Sequence, residues 1–270
     1  MSYQYTDYLN MQAMPHMWCS GCGNGIIVRS VAEALAQLGI SPQKVVITTG
    51  IGCFGKADDY FATHTFHGSH GRALAFATGI KAGNPDVHVI ALMGDGDAVT
   101  IGGNHFIHTA RRNMDITAIV ANNLNYGMTG GQYSATSPLE SKTSTAPRGV
   151  PEQAFDLAAL ADTAGANYVA RTTAYHVMQM KKLITAAIHK SGFSLVEVMT
   201  PCPTHFGRRN YPGPHDMMRS FKDHVLPFKR YEQMPQEQRA GYMPRGVFAD
   251  RERPSFLNIY HQFNAMDSDA

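Results

Sequence analysis

Asp95 and Asn123 are the two residues of this chain whose types and spacing point most directly to chemistry. Asp95 sits in Gly94-Asp95-Gly96-Asp97, and Asn123 follows it by 28 positions, in Asn122-Asn123. A carboxylate and an amide oxygen are hard donors of the kind magnesium takes, with phosphate oxygens and water completing six positions. Asp95 would supply a carboxylate, Asn123 an amide oxygen and Asn125 its backbone carbonyl. Gly94 and Gly96 let backbone N–H groups come close to phosphate oxygens. Taken singly, each cluster reads better as a turn or a cap. Each, however, closes an apolar run, VHVIALM over 87–93 and ITAIVA over 116–121. The pair suggests a magnesium-bound diphosphate, most simply thiamine diphosphate, and with it chemistry on a 2-oxoacid. A dinucleotide site is the competitor, but no G-x-G-x-x-G opens a helix, and no Walker A sequence occurs.

Four cysteines form the second set: Cys19, Cys22, Cys53 and Cys202. Cys19-Ser20-Gly21-Cys22 places two thiolates within reach of one centre. Zinc ribbons present two close pairs, whereas this chain has one pair and two singles. Four thiolates also satisfy a [4Fe–4S] cluster. Gly21, Gly23, Gly25, Gly50 and Gly52 would bring amides near its sulfurs, and Pro201 and Pro203 flank Cys202 rigidly. Redox chemistry at the Cys-x-x-Cys alone lacks the preceding βαβ unit. Inert buried thiols remain open for Cys53 and Cys202.

These residues need a scaffold, and the chain alternates strand-like and helix-like runs. Lys44–Thr49, 87–93, 116–121, a short run at Tyr168–Ala170 and Ser194–Met199 read as strands. Arg72–Ala82, about 104–112, 151–164 and 175–189 read as helices, the third with proline at its start. Such alternation predicts an α/β fold, a mostly parallel sheet flanked by helices. Continuously apolar strands fit burial on both faces. Ligands in such sheets sit beyond the carboxyl ends of strands, where both clusters fall, and a helix starting near Asn104 would aim its N-terminus at the anion. From Pro203 onward, proline and aromatic residues replace periodic strands. Two segments are expected: 1–205, carrying the diphosphate and cysteine sites, and 206–270, an irregular extension. Its aromatics suit an arm that contacts another subunit, or a small helical appendage with its own core.

Length and composition set wide limits. The chain has 270 residues, 44% of them hydrophobic, and a formal charge of +2. That is ordinary for a globular protein with a sizeable core. No dense basic block suggests nucleic acid, and no run reaches the roughly 18 apolar residues of a membrane span. The N-terminal MSYQYTDYLN lacks the basic and apolar regions of a signal peptide, so a cytoplasmic location is expected.

Read together, the motifs make the chain resemble the beta subunit of the 2-oxoacid:ferredoxin oxidoreductases. Carrying the resemblance are Trp18-Cys19-Ser20-Gly21-Cys22-Gly23-Asn24-Gly25, Gly50-Ile51-Gly52-Cys53 and His70-Gly71-Arg72-Ala73. Gly94-Asp95-Gly96-Asp97, Ile101-Gly102-Gly103-Asn104-His105, the run from Asn122 to Gln132 and Pro201-Cys202-Pro203-Thr204 complete it. They occur in the family's order over about 15–205. The form Gly127-Met128-Thr129-Gly130-Gly131-Gln132 is similar to 2-oxoglutarate-type members rather than pyruvate-type ones.

The resemblance implies a thiamine diphosphate-binding domain of the pyrophosphate type, in which Cys19, Cys22, Cys53 and Cys202 hold a [4Fe–4S] cluster. Magnesium would be held by Asp95, Asn123 and Asn125. Ile51, Gly52, Cys53, His70, Gly94, Asp95, Gly96, Asp97, Asn123, Tyr126, Gly127, Met128 and Thr129 would line the cofactor. Lys56, His70 and Thr129 would face the substrate. His70 is preferred to His67 because Arg72-Ala73 continues the match. The spacing of His64, His67 and His70 also admits a metal, but the glycines between them argue against a helix, and lining an anionic pocket suits them better. The implied activity is coenzyme A-dependent oxidative decarboxylation of a 2-oxoacid, with electrons passing to ferredoxin, in either direction. The cofactor also needs a glutamate, and nothing marks Glu33, Glu152 or Glu197 for it. That glutamate and most of the coenzyme A site should come from an alpha subunit, in a heterodimer or a dimer of heterodimers. The rivals are a pyruvate or branched-chain member, another split thiamine enzyme, which would not need Cys-x-x-Cys, and a non-catalytic iron–sulfur or zinc module, which would leave Asp95 and Asn123 unexplained.

Overall fold

Short β-branched runs followed by helix formers fold here as the alternation dictates. The computed structural model describes residues 2–213 and 215–268, so the outer bounds of the two expected segments, Met1 and Ala270, lie outside the described residues. Six mutually parallel strands come first: β1 (Val45–Thr49), β2 (His64–His67), β3 (His88–Gly94), β4 (Thr117–Asn122), β5 (Tyr168–Thr173) and β6 (Ser194–Met199). β7 (Val225–Pro227) and β8 (Met243–Asp250) complete a sheet of order β2-β1-β3-β4-β6-β5-β8-β7.

Five helices cover it: α1 (Asn24–Leu38), α2 (Ala73–Gly83), α3 (Gly103–Arg112), α4 (Leu157–Thr163) and α5 (Val177–His189). Alternate residues of each central strand serve opposite faces. Ile47, Ile90, Leu92 and Ile119 pack with α1 and α5. Val89, Ala91, Met93, Ala118 and Val120 pack with α2, α3 and α4. β4 and β6 are buried throughout, as strands covered on both faces must be.

Register decides where the motifs meet. Thr49 lies opposite Leu92, Gly94 opposite Ala121, and Asn122 opposite Met199. The loops after β1, β3, β4 and β6 therefore leave the same edge. Those loops carry Gly50 to Cys53, Asp95, Asn123 and Cys202.

Several boundaries differ from the sequence reading. The helix expected from Pro151 begins at Leu157, because Asp156 caps it by accepting from the Ala159 N–H at 3.0 Å. The helix expected from Tyr175 begins at Val177, after a turn in which the Thr173 hydroxyl accepts from the N–H groups of Tyr175 and His176. The short run at 168–170 extends to Thr173. β2 is absent from the expected strands, since its exposed residues, HTFH, show no apolar alternation.

β8 lies in the stretch where periodic strands disappear. It pairs antiparallel with β5 through an irregularity at Val169/Ala170, so residues of the 206–270 segment extend the main sheet. Its sequence, MPRGVFAD, carries Pro and Gly, which weaken any strand signal. Phe206 and Phe221 turn into a small core with Leu124, Met199 and Cys202. Phe256, Tyr260 and Phe263 are exposed. No helix among the described residues is long and apolar enough to cross a membrane.

Candidate active site

A cleft of about 60 Å³ opens at the shared strand edge, and the expected cofactor residues line it: Ile51 to Cys53, His70, Gly94 to Asp97, Asn123 and Asn125 to Thr129. Among the described residues no glutamate lines it.

Asp95 directly follows β3 and is buried. The hydroxyls of Ser134 and Thr136 donate to its Oδ2, the latter at 2.7 Å. Burial drives the Asp95 pKa upward, opposed by those two hydroxyls. Its Oδ1 faces Asn123. The Asn123 Oδ1 accepts weakly from the Asn125 N–H at 3.3 Å. It also lies 2.6 Å from the Asn125 carbonyl oxygen and 3.1 Å from both Asp95 Oδ1 and Asn125 Oδ1. Turned end for end, the amide would donate to all three. Asp95 Oδ1 and the Asn125 carbonyl thus both lie within hydrogen-bond distance of the Asn123 amide. A carboxylate, an amide oxygen and a backbone carbonyl brought together in this way are hard donors of the kind magnesium takes.

Asp97 is the second buried carboxylate. Its Oδ1 accepts from the Gly71 N–H at 2.6 Å and the Ile51 N–H at 3.4 Å, with His70 Nδ1 at 2.7 Å. Its Oδ2 is buried without a partner, as is Asn125 Nδ2. A Cβ on Gly50 would fall 2.2 Å from Asp97 Oδ2, so only glycine fits there. Gly96 is equally constrained, by the Tyr126 ring 2.3 Å from any added Cβ. His70 meets that ring edge-on at 5.9 Å. α3 starts at Gly103, as expected near Asn104, but Gly96–Ile101 forms a wide π-type turn before it and no α3 residue lines the cleft.

Three histidines separate. His70 lines the cleft, while His67 leaves it for Asp58 at 3.2 Å and Thr49 at 3.0 Å. His64 is exposed on β2. Among the described residues no three His, Cys, Asp or Glu side chains could hold one metal ion, so a histidine metal site is not formed. Lys56 also stays outside the cleft, paired with Asp59 at 2.8 Å. The Thr129 hydroxyl donates to Gln132 Oε1 at 2.6 Å, and Gln132 Nε2 returns a bond to the Thr129 carbonyl at 2.9 Å.

The cysteines gather beside this cleft, all with free thiols. Cys22 and Cys53 are near enough to feel Cys19 and Cys202 electrostatically. Burial, reinforced by those neighbours, pushes Cys22 up to about 12 and Cys53 up to about 11. As thiolates they would need a positive centre to hold them there. Gly127 joins the two sites: a Cβ on it would lie 3.3 Å from Cys53 Sγ and 3.6 Å from Cys202 Sγ. The Trp18 indole N–H donates to the Cys53 carbonyl at 2.6 Å, fixing that loop. Sequence reasoning missed Trp18's anchoring role and the supports of Asp95. The hydroxyl cluster Ser134-Ala135-Thr136-Ser137 was visible, but nothing in sequence joined it to a residue 39 positions away.

Residues 50–198 match the family described as thiamine pyrophosphate enzyme, C-terminal TPP binding domain. The 2-oxoglutarate synthase subunit KorB of Methanocaldococcus jannaschii is 43% identical over 94% of this chain and 95% of its own length. The chain belongs to the 2-oxoacid:ferredoxin oxidoreductase beta subunits. Within them the 2-oxoglutarate type is favoured, since the Archaeoglobus fulgidus 2-oxoglutarate synthase subunit KorB is 53% identical over 76% of each chain. The beta subunit of a Sulfolobus 2-oxoacid:ferredoxin oxidoreductase reaches 44% over 70% of this chain and 62% of its own. A solved 2-oxoglutarate:ferredoxin oxidoreductase from Magnetococcus marinus, with 2-oxoglutarate, coenzyme A and succinyl-CoA bound, superposes with a TM-score of 0.87 at 31% identity. It covers 98% of this beta subunit and 91% of that chain. This chain is thus a subunit of an oxidoreductase on a thiamine diphosphate-binding fold.

Proposed function

We propose that this subunit catalyses, with an alpha partner, the coenzyme A-dependent oxidative decarboxylation of 2-oxoglutarate, passing electrons to ferredoxin, with the same chemistry available in reverse. The observation that carries this reading is the meeting, at Gly127, of the oxygen cluster of Asp95, Asn123 and Asn125 with Cys53 and Cys202. Thiamine diphosphate would supply the decarboxylating chemistry, and a [4Fe–4S] cluster the one-electron chemistry.

This chain's own residues set the stage. Asp95 Oδ1, Asn123 Oδ1 and the Asn125 carbonyl would hold magnesium against the diphosphate, with Ser134 and Thr136 fixing the carboxylate. Asp97, oriented by Gly71 and Ile51, sets the His70 ring at the cleft. Met128 and Thr129 border the substrate side. Lys56 would neutralise a substrate carboxylate once released from Asp59. Cys19, Cys22, Cys53 and Cys202 would ligate the cluster. One close pair and two singles suit a four-iron cluster better than zinc, whose ribbons present two close pairs.

The glutamate that activates the cofactor would come from the alpha subunit, with most of the coenzyme A site. Glu33 pairs with Arg29 and Lys181, Glu152 accepts from the Tyr133 hydroxyl, and Glu197 is buried with Arg171. The exposed Phe256, Tyr260 and Phe263 suit contact with another subunit. A cytoplasmic setting, with its reducing conditions, suits four free thiols. The test is anaerobic purification of the complex, assays for iron, acid-labile sulfide and thiamine diphosphate, and reduction of ferredoxin by competing 2-oxoacids. A colourless, zinc-containing, iron-free complex would overturn the reading. Faster turnover of pyruvate than of 2-oxoglutarate would move the substrate assignment.

A further inference from the structure

Behind the oxygen cluster lies a chain of polar groups that the proposed chemistry does not use. Glu197, on β6, is 2% exposed, and so is Arg171, on β5. Glu197 Oε2 accepts from Arg171 Nε at 2.7 Å. Its other oxygen, Oε1, accepts from Asn122 Nδ2 at 2.8 Å. Asn122 Oδ1 in turn accepts from the Leu124 N–H at 3.2 Å. Leu124 sits in the left-handed region, φ +67°, where a branched side chain is disfavoured and something must hold the backbone. Asn123 and Asn125 flank it. The turn that aims the Asn123 amide and the Asn125 carbonyl at Asp95 is thus tied, through Asn122, to a buried carboxylate on the neighbouring strand.

Buried ion pairs contribute little net stability, because desolvation offsets their attraction. A network of this kind therefore calls for another role. We infer that Glu197 is a positioning residue for magnesium, acting through Asn122 on the Asn122–Asn125 turn. This rests on the magnesium reading above, which the wild-type complex tests by itself. The network also faces a cavity of about 620 Å³ beneath the C-terminal segment, whose wall includes Asn122, Leu124, Thr136, Arg171 and Glu197. A second tie on the same turn comes from the Ser137 hydroxyl, which donates to the Leu124 carbonyl at 2.6 Å.

The experiment is calorimetric titration of thiamine diphosphate into the cofactor-stripped complex of this subunit with its alpha partner, at a series of magnesium concentrations. Wild type should show magnesium-dependent binding; binding indifferent to magnesium would overturn the magnesium reading itself. Glu197→Leu should raise the half-saturating magnesium concentration about ten-fold, the scale of lost outer-shell support for a metal ligand. Asn122→Ala should do the same, and the double variant should be no worse than either, because both cut one chain. Glu197→Gln should recover most of the affinity, since its amide oxygen can still accept from Asn122. Glu197→Leu also leaves Arg171 with Asp156 as its remaining carboxylate partner, so Glu197→Leu/Arg171→Met separates the two effects. Its melting temperature should recover while its magnesium requirement stays raised. Wild-type magnesium dependence across these variants, or a requirement that follows melting temperature alone, would overturn the inference.

Discussion

Buried polarity is handled in opposite ways on the two sides of the Asn122–Asn125 turn. On the cofactor side, Asp97 Oδ2 and Asn125 Nδ2 are buried without a partner. On the other side, Arg171, Glu197 and Asn122 are as deeply buried yet bonded at each functional group named above. An unpaired buried polar atom is costly, so Asp97 Oδ2 and Asn125 Nδ2, both on residues lining the cleft, suit a place completed by a ligand. The paired side is finished by the fold itself.

Substitution of one buried carboxylate from each side, Asp95 and Glu197, should separate these cases most sharply. Asp95→Asn should lower thiamine diphosphate-dependent activity by at least about 100-fold, since a direct ligand should exceed the outer-shell effect. Yet it should raise the melting temperature of the cofactor-free complex. Burial raises the Asp95 pKa, so the cofactor-free fold loses stability as pH climbs above the ordinary carboxylate range, and the amide carries no such penalty. Glu197→Leu should do the reverse to stability, lowering the melting temperature by removing one of the two carboxylates paired with buried Arg171. A destabilised Asp95→Asn would break the contrast.

Gly50→Ala comes next. Its Cβ would meet the Asp97 carboxylate at 2.2–2.3 Å, and overpacking of this kind costs about 1–3 kcal/mol. Thiamine diphosphate affinity should fall with it, read by the same calorimetry; unchanged affinity would detach Asp97 from the site.

The pH dependence of stability offers a smaller effect. Desolvation, with Arg245 adding to it, lowers His176 to about 4. Unfolded, this histidine titrates near 6.5, so between those values the unfolded chain binds the extra proton. Its contribution is present above pH 6.5 and is lost as pH falls toward 4. His176→Asn should flatten melting temperature across that window, and an unchanged slope would assign the acid sensitivity elsewhere. Lys56→Ala should have the mildest effect, a few-fold rise in KM for the 2-oxoacid at unchanged thiamine diphosphate requirement, because Lys56 lies outside the cleft and is already paired. Equal loss of both would remove it from the substrate end.

Most of the scaffold was legible because parallel strands covered on both faces write themselves as apolar runs. β3, β4 and β6 are of that kind. β2 and β8 are edge or half-exposed strands with polar, Pro- or Gly-bearing sequences, so hydrophobicity gave them no signature. Helix starts were misplaced where side-chain caps decide them, at Asp156 and Thr173. In the site, motif residues from Ile51 to Thr129 were readable, whereas Ser134, Thr136 and Glu197 were not. Their roles exist only through hydrogen bonds across the fold, to Asp95 and Asn122.

The sequence by itself determined which groups are available: the hard oxygens of Asp95, Asn123 and Asn125, four thiols, and glycines where no Cβ fits. It also determined the strands that carry them, through local propensity and hydrophobic period. Tertiary structure alone decided that these loops leave one edge together, that Gly127 stands between Cys53 and Cys202, and that Glu197 reaches Asn122. Those outcomes depend on strand order and register, which arise from packing between segments far apart in the chain.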